Sequence, residues 1–364
     1  MLAPKLRFKE FNDEWKKVKI NKILKIKHGK NQKEIECING KYPILGTGGI
    51  IGTTNTPAYL KESVLIGRKG TIDKPMYINI PFWTVDTLFY SDVSSKYNVK
   101  FIYYLFNTIN WKKYDESTGV PSLSANTIEN IDVNISLEKE EQLKISQFLS
   151  LVDKKIELQQ RKIEVLKMYK KGLTKKLLDY SNYKKVKLKD ICTFYSGGTP
   201  DSKNKNFYTG NIPFIRSGEI HNETTELYIT SEAIKNSSAK MVYKGAVLYA
   251  LYGATSGDVS ISKINGAINQ AILCINGDNS INNSFLTIYL AFYRNIIINT
   301  YLQGGQGNLS ADIIKNLIIN LPSIEDQTKI VQYINSIDKK LYTENEKLKN
   351  LNSFKKYLLQ QMFI

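Results

Sequence analysis

The side chains best suited to chemistry in this sequence are hydrogen-bonding groups in glycine-containing turns. Arg68 and Lys69 directly follow the apolar stretch VLIG and precede Gly70. Glycine permits the backbone of a tight turn, from which long basic side chains extend into solvent. Arginine and lysine donate to guanine O6 and N7 in the DNA major groove and to phosphate oxygens. The pattern is typical either of a nucleic-acid contact or of an ordinary solvated turn.

A comparable turn, LYGATSG, lies in the second half of the chain and has no basic residue. There Tyr252 can stack on a base, while Thr255 and Ser256 can donate hydrogen bonds without a positive charge. If both turns contact nucleic acid, this change of side chains predicts that they contact different bases.

The stretch QGGQGN supplies carboxamide groups on a glycine-rich backbone. Gln303, Gln306 and Asn308 carry the donor and acceptor pair that matches adenine N6 and N7. The stretch STGVPS, which ends at Ser122, occupies the corresponding place in the first half. We predict nucleic-acid contacts at both stretches.

Further candidate contacts are small, polar or basic residues next to other turns. Glycines there would let the backbone approach a phosphate closely, although most turn glycines serve only the turn. The predicted contacts therefore also include Thr47, Gly48, Gly49, Thr71, Thr199, Lys203, Arg216 and Ser217.

The charge balance agrees with a polyanionic partner. The chain has 51 Lys and Arg against 34 Asp and Glu, a formal net charge of +17. Such an excess attracts nucleic acid or anionic surfaces. A chain rich in Lys, Asn and Ile also arises from an AT-rich genome, so charge alone does not establish DNA binding.

Motifs for catalysis are missing from the sequence. No strand is followed by GxGxxG, since GTGGIIG has the wrong spacing, and neither GxxxxGK[ST] nor HExxH occurs. His28 and His221 stand alone, and Cys37, Cys192 and Cys274 form no CxxC pair. We expect no cofactor, no metal site and no catalytic residue, so that any catalysis belongs to partner proteins.

The length and hydropathy of the chain limit the number of domains and the cellular compartments that are expected. At 364 residues the chain predicts two domains, and its hydrophobic fraction of 42% predicts packed cores. Its start lacks the apolar run of a signal peptide, and no later window resembles a membrane span. We therefore expect a soluble cytoplasmic protein.

An internal repeat is the strongest signal in the sequence. Leu123-Ser124-Ala125 returns as Leu309-Ser310-Ala311, and KKVKI from Lys16 returns as KKVKL from Lys184. Gln142 and Gln327 belong to further matched runs that lead into two long amphipathic segments. The order of the chain is therefore domain, segment, domain, segment.

Both amphipathic segments predict long helices with a coiled-coil seam, because apolar residues recur at alternating steps of four and three. Polar residues interrupt the two patterns at matching places, Gln159 with Glu344 and Lys170 with Lys355. Two unrelated amphipathic surface helices would not share their interruptions. The predicted seam residues are Ile145, Leu149, Val152, Ile156, Ile163, Leu166, Leu173 and Leu177 in the first segment, and Ile330, Ile334, Ile337, Leu341, Leu348, Leu351, Leu358 and Met362 in the second.

The two helices are predicted to pair antiparallel. Each has about 40 residues, or roughly 60 Å of helix, and Ser323 with Asp326 resembles a capping box at the start of the second. A helix that leads from one domain to the other can pair with its repeat only if that repeat runs back. We expect an α+β protein with two mixed domains (1–137 and 181–322), two spacer helices (138–180 and 323–364) and a pseudo-two-fold internal repeat.

The chain resembles the specificity subunits of type I restriction-modification enzymes along essentially its whole length. The resemblance rests on PKLRFKEFNDEW near the start, VLIGRKGTID, GGTP, GNIPFIRSGEI, NQAILCI and LPSIEDQTKI, in this order and partly duplicated. The first copy of the last motif reads ISLEKEEQ and departs from the pattern of the family.

The resemblance implies a non-catalytic subunit that reads a bipartite, asymmetric site in double-stranded DNA. It also implies a scaffold for two methyltransferase subunits and for restriction and translocase subunits. Two other functions are open from the sequence, an assembly scaffold with non-specific DNA affinity and an enzyme that modifies DNA alone.

Overall fold

The computed structural model describes residues 2–179, 182–302 and 308–364. The chain folds as two compact units, unit 1 being Met1–Arg161 with Asn345–Ile364, and unit 2 being Lys162–Glu344. Two helices of 40 and 39 residues, α3 (Lys139–Leu178) and α7 (Ile324–Met362), each contribute one part to unit 1 and the other part to unit 2. The predicted length of both helices is confirmed.

Unit 1 contains a series of short strands and two short helices before α3 begins. The strands are β1 (Lys16–Lys19), β2 (Leu24–His28), β3 (Tyr42–Gly46), β4 (Gly49–Thr54), β5 (Ser63–Gly67), β6 (Met76–Ile78), β7 (Trp83–Thr84), β8 (Leu88–Val93) and β9 (Asp132–Ile135). The helices are α1 (Val99–Phe106), α2 (Ala125–Glu129) and α3 (Lys139–Leu178).

Unit 2 repeats this series with additions. Its strands are β10 (Lys184–Lys187), β11 (Cys192–Ser196), β12 (Ile212–Ile215), β13 (Leu227–Ile229), β14 (Lys240–Val242), β15 (Val247–Ala250), β16 (Val259–Ile261), β17 (Gly266–Ile268), β18 (Ile272–Gly277) and β19 (Ile318–Leu321). Its helices are α4 (Ser231–Lys235), α5 (Asn283–Tyr301), α6 (Ala311–Lys315) and α7 (Ile324–Met362).

The sheets of the two units have the same strand order. Unit 1 has a β1-β9 pair, a sheet ordered β2-β8-β5-β6 and a sheet ordered β4-β3-β7. Unit 2 has a β10-β19 pair, a sheet ordered β11-β18-β15-β16 and a sheet ordered β13-β12-β17-β14. The internal repeat and the mixed α+β fold class are therefore confirmed, and unit 2 has one additional strand, β14.

The short sequence repeats have definite structural tasks. The two KKVK runs form β1 and β10, and each closes its domain by pairing antiparallel with the last strand, so that Lys16 faces Ile135 and Lys184 faces Leu321. In the two Leu-Ser-Ala runs, the serine hydroxyl accepts a hydrogen bond from the first turn of α2 or α6. Helix capping of this kind explains why serine recurs there.

The repeated glutamine joins each long helix to its domain. In unit 1, Gln142 Oε1 accepts from the Asn98 N–H at 2.8 Å, and Gln142 Nε2 donates to the Ser136 carbonyl at 2.8 Å. In unit 2, Gln327 makes the same two contacts with Asn282 and Pro322. Both glutamines are fully buried, so their polar groups need these partners.

The long helices pair antiparallel within each unit. In unit 2, Lys162 of α3 contacts Glu344 of α7, and eight residues further along α3, Lys170 contacts Asp338. The residue numbers thus rise along α3 while those of the contacted residues fall along α7. In unit 1, Lys355 Nζ of α7 lies 2.6 Å from an oxygen of Asp153 in α3. All of the predicted seam residues are buried or half-buried.

The predicted secondary structure agrees with the observed elements apart from the ends of some helices. Short apolar or β-branched runs bounded by Gly, Pro and Asn predict strands, and each of these runs forms a strand: VLIG, MYINI, TLFY, PFIRSG, AVLYAL, AILCI and LIINLP. The sequence also predicts helical stretches at 98–108 and 285–295, where the structure has the helices Val99–Phe106 and Asn283–Tyr301. Both helices begin after an asparagine N-cap, and the largest difference from the predicted bounds is at the C-terminal end of α5.

Gly197 in the GGTP motif offers a test of the packing of unit 2. A Cβ at this position would lie 1.8 Å from the carbonyl oxygen of Ile268 in β17. We expect Gly197→Ala to destabilise unit 2 by about 1–3 kcal/mol, because backbone must move to relieve the overlap. Gly218→Ala is the control, since nothing lies within 4 Å of its added methyl. Hydrogen exchange of peptides from β17 measures the effect, and equal exchange in both variants would contradict the expectation.

Candidate nucleic-acid interface

The basic turn of unit 1 directly follows β5. The Arg68 N–H donates to the Thr87 carbonyl at 2.8 Å, and Arg68 Nη1 donates to the Asp86 carbonyl at 3.3 Å. Gly70 has φ of 85°, a conformation that strains any residue with a Cβ. The Lys69 side chain is exposed and that of Arg68 is half-buried. The turn therefore presents two cations on a backbone fixed by hydrogen bonds.

The loop that ends at Ser122 packs against this turn. Lys69 forms an isolated antiparallel β-bridge with Ser122, and the Leu123 N–H donates to the Arg68 carbonyl at 2.9 Å. The structure thus brings Ser122 against Arg68 and Lys69, although Ser122 lies far from both in the sequence. Together they form one small surface, which we call the unit 1 contact surface.

Asp115 closes the loop that carries Ser122. Its Oδ1 accepts from the Ser122 N–H at 2.9 Å and from the Ser117 hydroxyl at 2.9 Å. The backbone hydrogen bond from Ser122 is the largest of the interactions that lower the pKa of Asp115. The carboxylate is therefore charged at neutral pH and holds the loop in shape. Asp115 is not among the predicted residues, although an Asp two residues before a Ser is typical of such a turn.

Unit 2 builds the same turn from different side chains. The Leu251 N–H donates to the Ala271 carbonyl at 2.8 Å, and the Leu309 N–H donates to the Leu251 carbonyl at 2.9 Å. These contacts match those of Arg68 in unit 1, and Gly253 has a positive φ of 75° as Gly70 does. Leu251 is only 1% exposed. A partly exposed cation in one unit therefore corresponds to a buried apolar residue in the other.

The polar candidates in the second turn have different surroundings. Tyr252 is exposed, and Thr255 is half-buried with its hydroxyl 3.4 Å from the Tyr252 carbonyl. Ser256 is 5% exposed, and its hydroxyl donates to the Leu251 carbonyl at 3.0 Å. Because this hydroxyl supports the turn from inside, we correct the prediction and remove Ser256 from the candidate contacts.

Arg216 directly follows β12 and is held by two carboxylates. Its Nε lies 3.0 Å from Glu219 Oε2, and Nη2 also contacts Glu226. The side-chain hydrogen bond with Glu219, followed by that with Glu226, raises the pKa of Arg216. Its side chain keeps 39% exposure. Ser217, next in the chain, begins a short 3-10 helix, so Arg216 is a positioned rather than a freely moving cation.

The glycine-rich turn of unit 1 connects β3 and β4. Thr47 and Gly48 form this hairpin turn, and Gly49, the first residue of β4, has φ of 113°. An added Cβ at Gly48 would meet nothing within 4 Å. Ile38 and Ile50 are exposed by 93% and 70% and line the same surface cleft. Exposed isoleucines can contact thymine methyl groups, a feature that the sequence analysis missed.

The remaining candidates are distributed over other surfaces. Thr199 is exposed and donates to Gln270 Oε1 at 2.7 Å, and the Lys203 side chain is exposed. Thr71 follows the Arg68 turn and is half-buried. Asn308 is exposed and precedes Leu309, so it lies beside the second turn. Gln303 and Gln306 lie outside the described residues.

Other kinds of site are absent from the part of the chain that the structure describes. Within residues 2–179, 182–302 and 308–364, no group of three or more His, Cys, Asp or Glu side chains is arranged to hold a metal ion. None of the helices in the same ranges has the length and hydropathy that a membrane span requires.

Comparisons with known proteins identify the family. The family model described as "Type I restriction modification DNA specificity domain" matches residues 12–168 and again 180–353. The specificity subunit of the type I restriction enzyme MjaVIII from Methanocaldococcus jannaschii is 22% identical, over 95% of this chain and 91% of its own length. The MjaIX specificity subunit of the same organism is 29% identical, but the match spans only 45% of this chain and 39% of that relative.

The fold agrees with a solved structure of this kind. The crystal structure of the S subunit of a type I restriction-modification system from M. genitalium has a TM-score of 0.65 at 18% sequence identity. The match covers 100% of this chain and 99% of the other. The family model and the curated relatives confirm the resemblance inferred from the sequence, and with it the prediction of a non-catalytic specificity subunit. Because the family model matches both halves, the chain belongs to the type I restriction modification DNA specificity family.

Proposed function

We propose that the sheet domains of units 1 and 2 each read one half of a bipartite, asymmetric DNA site. One observation carries the proposal. The turn after β5 and the turn after β15 have the same backbone hydrogen bonds but expose different groups, Arg68 with Lys69 in one and Tyr252 in the other. Because the two turns share a backbone conformation but expose different hydrogen-bonding side chains, we expect them to bind different base sequences.

The charge supports binding along a duplex. With a formal net charge of +17, the chain attracts the DNA backbone, and phosphate contacts fix position while base contacts supply specificity. We propose phosphate contacts for Lys69 and Lys203, and base contacts for Arg68 and Arg216. The remaining proposed contacts are Thr47, Gly48, Gly49, Thr71, Ser122, Thr199, Ser217, Tyr252, Thr255, Gln303, Gln306 and Asn308.

The long helices provide the proposed spacer and docking elements. We propose domain bounds of 1–137 and 181–322 for DNA reading, and 138–180 and 323–364 for the spacers. The proposed partners are double-stranded DNA, two methyltransferase subunits, and the restriction and translocase subunits that carry the catalytic activity. The proposed compartment is the cytoplasm, where these subunits and the DNA of the cell meet.

The proposal is tested with a duplex that carries the site of this protein. Mapping modified bases in cells with and without the gene yields the site, and competition binding with scrambled duplexes then measures specificity. We expect binding to the true site to be at least about a thousandfold tighter, and to weaken steeply with salt. Equal binding to all duplexes would instead support an assembly scaffold with non-specific DNA affinity.

Arg68 offers a narrower test of the reading of one half-site. We expect Arg68→Ala to weaken binding to the true site by about tenfold to a hundredfold, and to relax the preference at a single position of one half-site. Selection from a randomised duplex library measures both effects. Lys69→Ala is the matched control, since a phosphate contact weakens all sequences to a similar extent. An unchanged preference in Arg68→Ala would remove this residue from base reading.

A further inference from the structure

Unit 2 contains an open pocket of about 530 Å³ between α3, α5 and α7. Its floor is apolar, with contributions from Ile288, Phe292, Ile334 and Leu341. Lysines of α3, among them Lys167 and Lys171, stand at its rim. A pocket of this size accommodates an aromatic side chain, and its mostly apolar walls favour one.

The internal repeat identifies the equivalent place in unit 1. Helices α1 and α5 begin at Asn98 and Asn282, whose side chains accept from the first-turn amides and whose N–H groups donate to Gln142 and Gln327. These contacts fix the register of the two helices. Positions five and six beyond the cap are tyrosines in unit 1, Tyr103 and Tyr104, whereas the same positions in unit 2 are threonine and isoleucine.

Tyr104 shows how the site is filled in unit 1. Its ring is fully buried, and its hydroxyl donates to Asp153 Oδ2 at 2.7 Å. Lys355 lies 2.6 Å from the other oxygen of Asp153 and also stands over the ring, 5.9 Å from its centroid. Burial is the largest cause of the raised pKa of Tyr104, so its hydroxyl keeps the proton that it donates.

Unit 2 keeps the ionic partners but lacks the phenol. Lys170 pairs with Asp338, as Lys355 pairs with Asp153 in unit 1, and both residues line the pocket. Ile288, in the position of Tyr104, is shorter and has no hydroxyl. The space of the ring is therefore open, and Asp338, which is 48% exposed, can accept a further hydrogen bond.

The charge at the rim of the pocket indicates what kind of segment would carry an aromatic ring into it. Among the described residues, Lys167, Lys170 and Lys171 line the pocket together with a single carboxylate, that of Asp338. This excess of positive charge attracts an acidic segment and disfavours a basic one. DNA is a poor occupant, because the narrow apolar floor offers nothing to a phosphate backbone.

From these contacts we propose that the pocket of unit 2 receives a tyrosine side chain from an acidic segment of a partner protein. The ring takes the place that Tyr104 fills in unit 1, and its hydroxyl donates to Asp338. The identity of the partner as a methyltransferase subunit rests on the proposed function, whereas the preference of the pocket for a phenol does not.

The pocket is first tested with p-cresol, the side-chain analogue of tyrosine, and the full-length chain. We expect binding in the millimolar range by saturation-transfer NMR, and toluene to bind about threefold to tenfold more weakly because it lacks the hydroxyl. In Asp338→Ala the two probes should bind equally. Ile288→Tyr should abolish p-cresol binding by filling the pocket, while Asn295→Tyr, an exposed site on α5, should leave it unchanged.

Some outcomes of this first test would overturn the proposal. They are p-cresol binding that is absent in the wild type, equal to that of toluene, or unaffected by Ile288→Tyr. The DNA-binding measurements described above are independent of these results. A chain that reads DNA but does not bind p-cresol would therefore keep the proposed function and lose this inference.

The second test concerns the partner. We expect Ile288→Tyr to weaken the complex with the methyltransferase subunit by at least about tenfold, because the anchoring ring is excluded, and Asn295→Tyr to leave it unchanged. Analytical ultracentrifugation of the mixed full-length proteins measures the affinity. A complex of unchanged strength in Ile288→Tyr, with p-cresol binding lost, would show that this subunit does not supply the ring.

Discussion

Glu141→Ala is expected to destabilise unit 1 by about 3–5 kcal/mol, because it leaves a buried cation without its partner. The Glu141 carboxylate is fully buried and binds Arg7 through two hydrogen bonds of 2.7 and 2.9 Å. It also accepts from Trp15 Nε1 at 3.2 Å. The hydrogen bond with Glu141 is the largest cause of the raised pKa of Arg7. Arginine is protonated at neutral pH even without such a partner, so the variant leaves a cation with only 12% of its side chain exposed.

The tryptophans make the measurement specific to unit 1. All three, Trp15, Trp83 and Trp111, belong to this unit, so their fluorescence in a urea titration of the full-length chain reports its unfolding alone. Glu140→Ala, on the exposed face of the same helical turn, is the matched control and should change stability by less than about 0.5 kcal/mol.

A second variant separates the charge from the packing. In Arg7→Met with Glu141→Leu both charges are absent, so the loss should be clearly smaller than in the single variant. Coincident titrations of Glu141→Ala and Glu140→Ala would show that the buried pair does not hold the N-terminal segment on α3.

Much of the scaffold of helices and domain-closing contacts could be predicted because its sequence occurs twice in the chain. Gln142 and Gln327 recur in sequence since each must satisfy a buried amide at the base of a domain, and a carboxamide supplies both an acceptor and a donor at that reach. The serines of the Leu-Ser-Ala repeats recur because they cap α2 and α6. A contact that both halves of the chain require is therefore made by the same residue type at the corresponding position of each half.

The candidate site was less predictable, because its geometry depends on contacts between distant segments. The residue types at Arg216 indicated a DNA contact, but not that Glu219 and Glu226 would hold the guanidinium. Ser256 has the composition of an exposed turn, yet it is buried and bonded to Leu251. Nothing in the local pattern shows on which side of a turn a hydroxyl will lie.

The pocket of unit 2 likewise could not be predicted from the sequence, because it depends on how side chains pack beneath α5. Thr287 and Ile288 are ordinary helical residues, and they become informative only when α5 is aligned with α1 by its N-cap. The difference from Tyr103 and Tyr104 then leaves open space. Sequence periodicity predicts which face of a helix is buried, but not whether the volume beneath it is filled.

Exchanging residues 183–322 for the corresponding region of another family member is expected to replace one half-site completely and to leave the other unchanged. The structure favours these boundaries for the exchange, because Lys184 in β10 and Leu321 in β19 are direct partners in an antiparallel pair. The chain therefore enters and leaves the exchanged domain at one place. Binding to the old site should fall by at least about a thousandfold, since half of its specific contacts are lost.

The exchange succeeds only if the domain still docks on its helices. The donor must keep an N-capping residue in the place of Asn282, whose side chain caps α5 and whose backbone N–H donates to Gln327. It must also keep apolar residues in the places of Phe285 and Leu290, which pack in one core with Ile330 and Ile334. Mapping of modified bases in cells that carry the hybrid reads out both half-sites at once. A matched exchange of residues 20–130 should alter only the other half. If either hybrid changed both half-sites, the two domains would not read DNA independently, and the bipartite proposal would have to be abandoned.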